Sequence, residues 1–347
     1  MGKYFATVNI GSTNVTAVSV RWNRSGDYAI EKFSRVPSRG FLRGAVSDSG
    51  AATDTIGEVI GRLDTKGIRD VYAGISSSSL GLTKGIGTVL VSKYGREISR
   101  FDIKRCIKMA SIVKMPIEKE PIHRIVAGFA VDGEDGIHDP FNLEGIKLDA
   151  HVNVVTVNSS VIRNMQRVIA DSGSVPAGFI FSGLASAYRI LSEEDMQKGA
   201  IFLAIRRDLQ ETLVFNDGIL CGVRVSHGGT EEMMSGEAGV QEEALRTLYS
   251  DTKSLEGWDK VRKIVVFFED AMTEEFIDAA ENVFKLPVKI GNCSVRPFEK
   301  LPQDRVGYVG SLGMLDYLYS ERLKDRRNTD LFKGAADKII NFIDSYF

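Results

Sequence analysis

The amino-acid sequence predicts an α/β fold with mixed sheets and more than one lobe. β-Rich segments alternate with segments of helical periodicity, and a short turn joins two of the β-rich segments into a hairpin. The chain has 347 residues, which is more than one hydrophobic core usually supports. Its apolar share of 43% and its charged share of 26% are those of an ordinary globular protein.

Charge and cysteine content exclude several functional classes. The formal net charge is −2, so no large positive field attracts nucleic acid, and we expect no nucleic-acid partner. The three cysteines are far apart and lack metal-ligand spacing, which predicts small buried side chains in a reducing cytosol. The N-terminus lacks the features of a signal peptide, and no apolar run is long enough to span a membrane. We therefore expect a cytoplasmic protein without a metal site.

The first part of the chain predicts a hairpin, a helix and a buried strand. Residues 4–10 and 15–22 are β-rich and flank the turn Gly11-Ser12-Thr13-Asn14. Apolar residues at helical spacing predict a helix over 53–63, and the short apolar run 71–75 predicts a strand.

From about residue 84 to residue 156 the pattern changes to short strands around one helix. Ser99 and Asp102 have the spacing of a capping box at the start of this helix, and Pro116 ends it. The strands are predicted at 87–91, 124–131 and 146–157. We favour an inserted subdomain over a continuation of the surrounding domain.

The second part alternates strands and helices again. One strand, 263–268, has no polar break and should be buried on both faces. A polar helix is predicted over 231–249. Further helices are predicted at 161–171, 274–284 and 307–323, and further strands at 199–205, 212–215 and 219–225.

Residues 129–150 carry a long, ungapped pattern. Val131-Asp132-Gly133, Gly136-Ile137 and Asp139-Pro140, followed by a short spacer, resemble the signature of the FtsA-type bacterial cell-division proteins. Other segments resemble that family in the same order, at 38–48, 74–76, 97–99, 184–187, 284–291 and 309–313. The resemblance implies an actin-like (ribonuclease-H-like) two-lobed fold around a nucleotide cleft, with an FtsA-type inserted subdomain.

The resemblance also implies domain boundaries. The first lobe would comprise 1–83 and 157–198, and the inserted subdomain 84–156. The second lobe would comprise 199–319, with a reduced upper subdomain at about 230–262. In the family this upper subdomain docks the FtsZ tail, so its reduction argues against that mode of FtsZ binding. A charged linker, 320–330, and an amphipathic helix, 331–347, would follow.

The first phosphate-binding turn of the family is partly present. Asn9 stands where the family has a leading aspartate, and a neutral amide cannot anchor a divalent cation as a carboxylate does. The turn residues that remain are Gly11, Ser12, Thr13 and Asn14.

The second phosphate-binding turn departs further from the family. Ala204 replaces a metal-side carboxylate, and Arg206, Arg207 and Asp208 replace three glycines. Glycine permits the positive φ and close backbone approach that phosphate binding needs. We interpret Arg206 and Arg207 as solvated turn residues that close an empty cleft; the alternative is that they bind phosphate by charge.

The adenosine side of the cleft also differs. Phe268 and Glu269 stand near the place of a glycine pair, and we expect the phenylalanine ring to occupy nucleotide space. The pair Gly228-Gly229 is the other remnant of the site. We therefore predict a pseudo-ATPase with a vestigial ATP site, no cofactor and no catalytic residues.

The C-terminal residues 331–347 carry apolar pairs at helical period, with balanced charges. The family ends in a membrane-lying helix, which this segment resembles; the alternative is a last helix packed on the protein's own core. The leading functional prediction is a non-catalytic scaffold or adaptor of cell division. It would tether FtsZ-like or other division proteins to the inner face of the cell membrane through 331–347, and would self-associate. The alternatives are an active actin-like ATPase or phosphotransferase, and an adaptor of another envelope machine such as a pilus-type assembly.

Overall fold

The computed structural model describes residues 3–23, 27–65, 67–112, 115–233, 239–269, 274–294 and 301–329. The strands, in chain order, are β1 (Lys3–Ile10), β2 (Asn14–Trp22), β3 (Tyr28–Pro37), β4 (Phe41–Leu42), β5 (Ala45–Val46), β6 (Asp70–Ile75), β7 (Gly81–Leu90), β8 (Arg96–Glu97), β9 (Lys119–Val131), β10 (Glu134–Ile137), β11 (Glu144–Gly145), β12 (Lys147–Asn158), β13 (Val175–Phe181), β14 (Ala200–Ile205), β15 (Leu209–Asn216), β16 (Ile219–His227), β17 (Lys263–Phe268) and β18 (Val288–Ile290). The α-helices are α1 (Ser49–Gly61), α2 (Arg100–Ala110), α3 (Ser159–Asp171), α4 (Ser182–Ile190), α5 (Glu193–Lys198), α6 (Thr230–Met233), α7 (Val240–Lys253), α8 (Glu274–Phe284) and α9 (Val309–Thr329).

The first-lobe sheet has five strands in the order β13-β6-β1-β2-β3. The hairpin β1–β2 is antiparallel, as the sequence predicts, whereas β6 and β13 run parallel to β1. Helices α1 and α3 pack together and reach the sheet through β2, β3 and β13, and α4 and α9 form a second helix pair that contacts β1, β6 and β13. The carboxyl ends of β1 and β6 therefore lie side by side at one edge of the lobe, with Asn9 opposite Gly74.

The second-lobe sheet has the order β16-β15-β14-β17-β18. Its central strand β14 is buried along its whole length, and alternate side chains enter two different cores. Phe202 and Ala204 join the core that continues into the first lobe, while Ile201, Leu203 and Ile205 join the core under α7 and α8. The two lobes are thus joined by a continuous apolar core on one face of this sheet.

The segment from β7 to β12, called the insert below, forms its own antiparallel sheet in the order β10-β9-β12-β7. Helix α2 covers one face of it and begins with the predicted capping box, in which Ser99 accepts from the backbone N–H of Asp102 and Asp102 accepts from that of Ser99. The Arg96 guanidinium, together with Ser99, lowers the pKa of Asp102 to about 2. The capping box of this helix is therefore confirmed.

The insert also contacts the second lobe. The Asn153 side-chain amide donates to the Leu220 carbonyl at 2.8 Å, and Lys84 forms an ion pair with Glu256. A cavity of about 380 Å³ lies between the two, lined by side chains of both, including His151 and Asp217. The insert is therefore held by more than its two chain connections.

Two of the predicted helices differ from those in the structure. The single helix predicted over 231–249 is wrong: α6 and α7 are separate, and Gly239, with a left-handed φ of 89°, precedes α7. The helix predicted over 53–63 begins earlier, at Ser49, because the Asp48 side chain caps it by accepting from the Ala51 N–H. The amphipathic segment 331–347 lies outside the described residues. In the part of the chain that is described, no helix is long and apolar enough to span a membrane.

Candidate functional site

The candidate site lies where two turns from different lobes meet. The first turn, residues 11–14, joins β1 to β2 and is closed by a backbone hydrogen bond from Gly11 N–H to the Asn14 carbonyl at 3.0 Å. The second turn, residues 206–208, joins β14 to β15 and is closed by Arg206 N–H donating to the Leu209 carbonyl at 2.9 Å. The space between these turns is called the cleft below.

Asp208 of the second turn reaches across the cleft with both carboxylate oxygens. The Ser12 hydroxyl, in the first turn, donates to Oδ1. The backbone N–H of Arg43, in the tight turn between β4 and β5, donates to Oδ2 at 2.9 Å. One side chain of the second lobe therefore binds two separate elements of the first lobe.

Glu211 forms a second, deeper connection between the lobes. Its side chain is fully buried at the start of β15, and the hydroxyl of Ser76, just past the end of β6, donates to its Oε1 at 2.5 Å. Its Oε2 accepts from Arg206 Nε at 3.0 Å. The buried carboxylate is therefore satisfied from both lobes, as a buried charge requires.

Glu269, which follows β17, brings a third carboxylate to the cleft. Its backbone N–H donates to the Ile205 carbonyl at 3.2 Å, and its Oε2 lies 3.7 Å from Arg206 Nη1. A Cβ added to Gly11 would lie 2.1 Å from Glu269 Oε1. The carboxylate therefore lies directly against the first turn. The Asn14 carbonyl oxygen, 2.7 Å from the same Cβ, is the backbone contact that favours a glycine there.

Arg206 is the charged centre of this arrangement and is only 2% exposed. Burial works to lower its pKa, but the neighbouring carboxylates Glu211 and Glu269 outweigh burial, and the pKa is raised. The guanidinium therefore stays charged inside the protein. The interpretation of Arg206 as a solvated turn residue is wrong, because its side chain is buried beside Glu211 and Glu269. Arg207 beside it is exposed.

Comparisons with known proteins place this geometry in context. The family profile described as the SHS2 domain inserted in FTSA matches residues 81–156. The cell division protein FtsA of Borreliella burgdorferi is 28% identical over 61% of this chain and 52% of its own length. That of Escherichia coli K12 is 25% identical over 64% of this chain and 53% of its own length.

The fold has a counterpart among solved structures. A structure of the PilM-PilN type IV pilus biogenesis complex superposes with a TM-score of 0.59, at 14% sequence identity, over 90% of this chain and 98% of that one. The likeness concerns the fold alone. The insert profile and the relatives together support a divergent FtsA-type actin-like protein. The chain spans about half the length of the curated relatives that it matches.

Two positions that align with metal-side carboxylates of the FtsA-type nucleotide site are buried in this structure. Asn9 is buried, and its amide packs between Gly74 and Gly310, since a Cβ on either glycine would lie within 2.8 Å of Asn9 Oδ1. Ala204 is fully buried in the core shared by both lobes. Neither residue offers a carboxylate to the cleft.

Phe268 does not occupy the cleft, so that part of the sequence interpretation is wrong. Its ring packs edge-on against Phe276, with 4.9 Å between ring centroids, in the core beneath α7 and α8. Alternation along β17 turns the next residue, Glu269, to the first turn instead. The departure from the FtsA-type pattern at this place is therefore a carboxylate and not an aromatic ring.

Gly229 packs directly against the second turn, and Gly228 before it has a left-handed φ of 102°. A Cβ on Gly229 would lie 2.0 Å from the Arg207 carbonyl oxygen, and the Thr230 N–H donates to the Arg206 carbonyl at 2.9 Å. Of the predicted remnant residues, the structure therefore brings Gly229 against the second turn and Ser12 against Asp208.

The structure adds Ser76, Arg43 and Glu211 to the site predicted from the sequence. Glu269 was placed near the site by the sequence, but as a departure from a glycine pair and not as a carboxylate that contacts the first turn. Glu211 aligns with the last acidic residue of the family's second phosphate motif, which was the available signal. Within the described residues, no group of three or more His, Cys, Asp or Glu side chains is arranged to hold a metal ion.

Proposed function

We propose that this chain is a non-catalytic actin-like scaffold or membrane adaptor of bacterial cell division, whose cleft holds no Mg·ATP. One observation carries the non-catalytic part of the proposal. The Asp208 carboxylate accepts hydrogen bonds from the Ser12 hydroxyl and the Arg43 N–H, the kind of donors that a phosphate would need.

The charge balance of the cleft supports the same proposal. Asp208, Glu211 and Glu269 supply three carboxylates, whereas Arg206 is the buried cation among them and is already engaged. A nucleotide triphosphate would add several negative charges without the glycine backbone that normally admits them. These residues do not fit a phosphate chain, so the ATP site is proposed to be vestigial.

The division role rests on the relatives. Those compared above carry the name cell division protein FtsA, and the insert profile belongs to the same family. We propose FtsZ-like or other division proteins as partners, self-association through the insert, and peripheral binding to the inner face of the cell membrane through residues 331–347. The domain division proposed from the sequence belongs to this hypothesis, except for the charged linker 320–330, because α9 continues to Thr329.

One observation argues against the ATPase alternative, and one favours the pilus-type alternative. An active ATPase would need Arg206 to hold phosphate, but its guanidinium faces Glu211 at 3.0 Å and Glu269 at 3.7 Å. A pilus-type adaptor has the fold likeness in its favour, at 14% identity. The match of the insert to the FTSA profile favours the division role over both.

Isothermal calorimetry of the full chain with ATP and Mg²⁺ tests the non-catalytic part. We expect no binding heat and no phosphate release over hours, because Asp208 already takes the Ser12 and Arg43 donors and the three carboxylates would repel phosphate. Binding in the low micromolar range, or turnover that depends on Mg²⁺, would overturn the proposal.

Flotation with liposomes containing anionic lipid tests the adaptor part. The double change Ile339→Asp and Phe342→Asp should release the chain from liposomes, because it places charge on the predicted apolar face of 331–347. Asn341→Asp, on the predicted polar face, is the matched control and should still float. Equal flotation of all three proteins, or a fall in melting temperature caused by the double change alone, would contradict membrane binding by this segment.

A further inference from the structure

We infer that Asp208 is an intramolecular latch that holds the two lobes together in the place of a phosphate. The inference rests on the proposed function, because the latch requires a cleft without nucleotide. It goes further by assigning the lobe orientation to contacts within the chain, so that closure needs no ligand.

The geometry of Asp208 is that of a bridging anion. Each oxygen accepts from a different element of the first lobe, Oδ1 from the Ser12 hydroxyl and Oδ2 from the Arg43 N–H at 2.9 Å. Hydrogen bonds to an ionised acceptor are stronger than those between neutral groups. The carboxylate therefore ties the first turn and the β4–β5 turn to the second lobe at once.

Both donors are held in position by the first lobe itself. Arg43 and Gly44 have left-handed φ values of 51° and 71°, which make the β4–β5 turn tight. A Cβ on Gly44 would lie 2.1 Å from the Ser76 carbonyl oxygen, so this turn is pressed against the chain after β6. The donors are preorganised, and Asp208 needs only to reach them.

The latch works with the deeper contact between Ser76 and Glu211. That contact is buried, whereas Asp208 and Ser12 are only half-buried and Arg43 is exposed at the rim. Two contacts at different depths resist rotation of one lobe about the other, which a single contact would allow. The Asp208 contact, at the rim, is the one that can open without leaving a buried charge in an apolar environment.

Spin labels on either side of the cleft can measure the opening. Exposed positions are available at Asp54 in α1 and Glu243 in α7, each changed to cysteine in a chain that also carries Cys221→Ser. Double electron–electron resonance then gives the distance distribution between the labels, and hydrogen exchange reports on the Arg43 amide. Circular dichroism confirms that each variant is folded.

We expect Asp208→Ala to give a longer and broader distance distribution and about tenfold faster exchange of the Arg43 amide, because its acceptor is lost. Asp208→Asn, which keeps one acceptor oxygen, should fall between that variant and the wild type. Glu194→Ala is the matched control: it removes a carboxylate from an exposed ion pair with Lys198 within α5 and should behave as the wild type.

The donor side provides an independent variant. Ser12→Ala should also broaden the distribution, and the combination with Asp208→Ala should add little, since both remove the same contact. If Asp208→Ala and Ser12→Ala match Glu194→Ala in distance and in exchange, the latch does not exist. Asp208→Asn and Ser12→Ala keep the test decisive if Asp208→Ala does not fold.

The same proteins separate this inference from the proposed function. Mg·ATP is added to the unlatched variants and to the wild type in the calorimeter. Binding to the wild type refutes the vestigial site. A wild type that binds nothing, together with variants that do not open, refutes the latch alone.

Discussion

The insert and the cleft are stabilised in opposite ways. In the insert, α2 packs on its sheet through apolar side chains such as Val89, Ile103 and Leu148. In the cleft, the contacts are made by charged side chains: Arg206, Asp208 and Glu211 of one segment, and Glu269 of another. Apolar packing loses stability in proportion to the atoms removed, whereas a buried charge network fails when one member is lost. The cleft is therefore the region in which one substitution should have the larger effect.

Glu211→Ala should have the largest effect on the free energy of unfolding. It leaves Arg206 buried beside the more distant Glu269, and removal of one member of a buried pair typically costs about 3–5 kcal/mol. Chemical denaturation of the purified variant measures the change.

The double change Arg206→Met and Glu211→Leu is the control for that experiment. Replacing both members by apolar residues of similar size removes the uncompensated charge, so we expect most of the stability to return. A double variant that is as unstable as Glu211→Ala would show that the cleft is stabilised by something other than this ion pair. The contrast between a charged cleft and an apolar insert would then be wrong.

Gly87→Ala tests the apolar region. A Cβ there would lie 2.2 Å from the Ala110 backbone N and 2.5 Å from the Cys106 carbonyl oxygen, so α2 must move away from β7. Overpacking of this kind costs about 1–3 kcal/mol, and hydrogen exchange should show the loss confined to the insert. Gly81→Ala, whose Cβ has no atom within 4 Å, is the matched control. Equal protection of both variants would indicate that the helix and sheet are less closely packed than described.

His123 joins the insert to the first lobe, and its effect on stability should appear only at acidic pH. Its Nε2 accepts from the Phe181 N–H at 2.9 Å and its Nδ1 lies 2.9 Å from the Tyr317 hydroxyl, while burial lowers its pKa from 6.5 to about 3. The folded state therefore holds His123 neutral, and the unfolded state takes up a proton as the pH falls below 6.5. Stability should be complete above pH 6.5 and about 2 kcal/mol lower at pH 5.

His123→Gln is the comparison for this pH effect, since glutamine does not titrate. The difference in unfolding free energy between wild type and variant, measured by urea titration at pH 7 and at pH 5, should change by that amount. Parallel curves would mean that His123 does not differ in protonation between the folded and unfolded states.

Local signals made the insert and the strand pattern predictable. The capping box of Ser99 and Asp102 involves residues three positions apart, so the sequence alone contains both partners. The strand predicted over 263–268 is confirmed at both ends, because the residues after Lys263 form a continuous apolar run. The FtsA-type pattern in 129–150 could be recognised because it is continuous along the chain.

The cleft could not be predicted in the same way. Strand β17 is buried on both faces, so its composition does not say which face Phe268 takes, and that choice sends Glu269 to the first turn. Arg206 looked like a surface residue because Glu269 is remote in sequence and Glu211 lies beyond the turn. Tertiary pairing, which no local pattern encodes, decided both positions.

The insert leaves and rejoins the first lobe at neighbouring points. Gly81 of β7 and Thr156 of β12 are strand partners, and the Asn158 N–H donates to the Ser79 hydroxyl oxygen at 3.2 Å. Strand partners are only about 5 Å apart at Cα, a gap that a short hairpin turn closes. The loop-closure entropy that the first lobe loses because of the insert is therefore small. An inserted segment whose ends are strand partners can be gained, exchanged or lost in one genetic step without rearrangement of the first-lobe sheet.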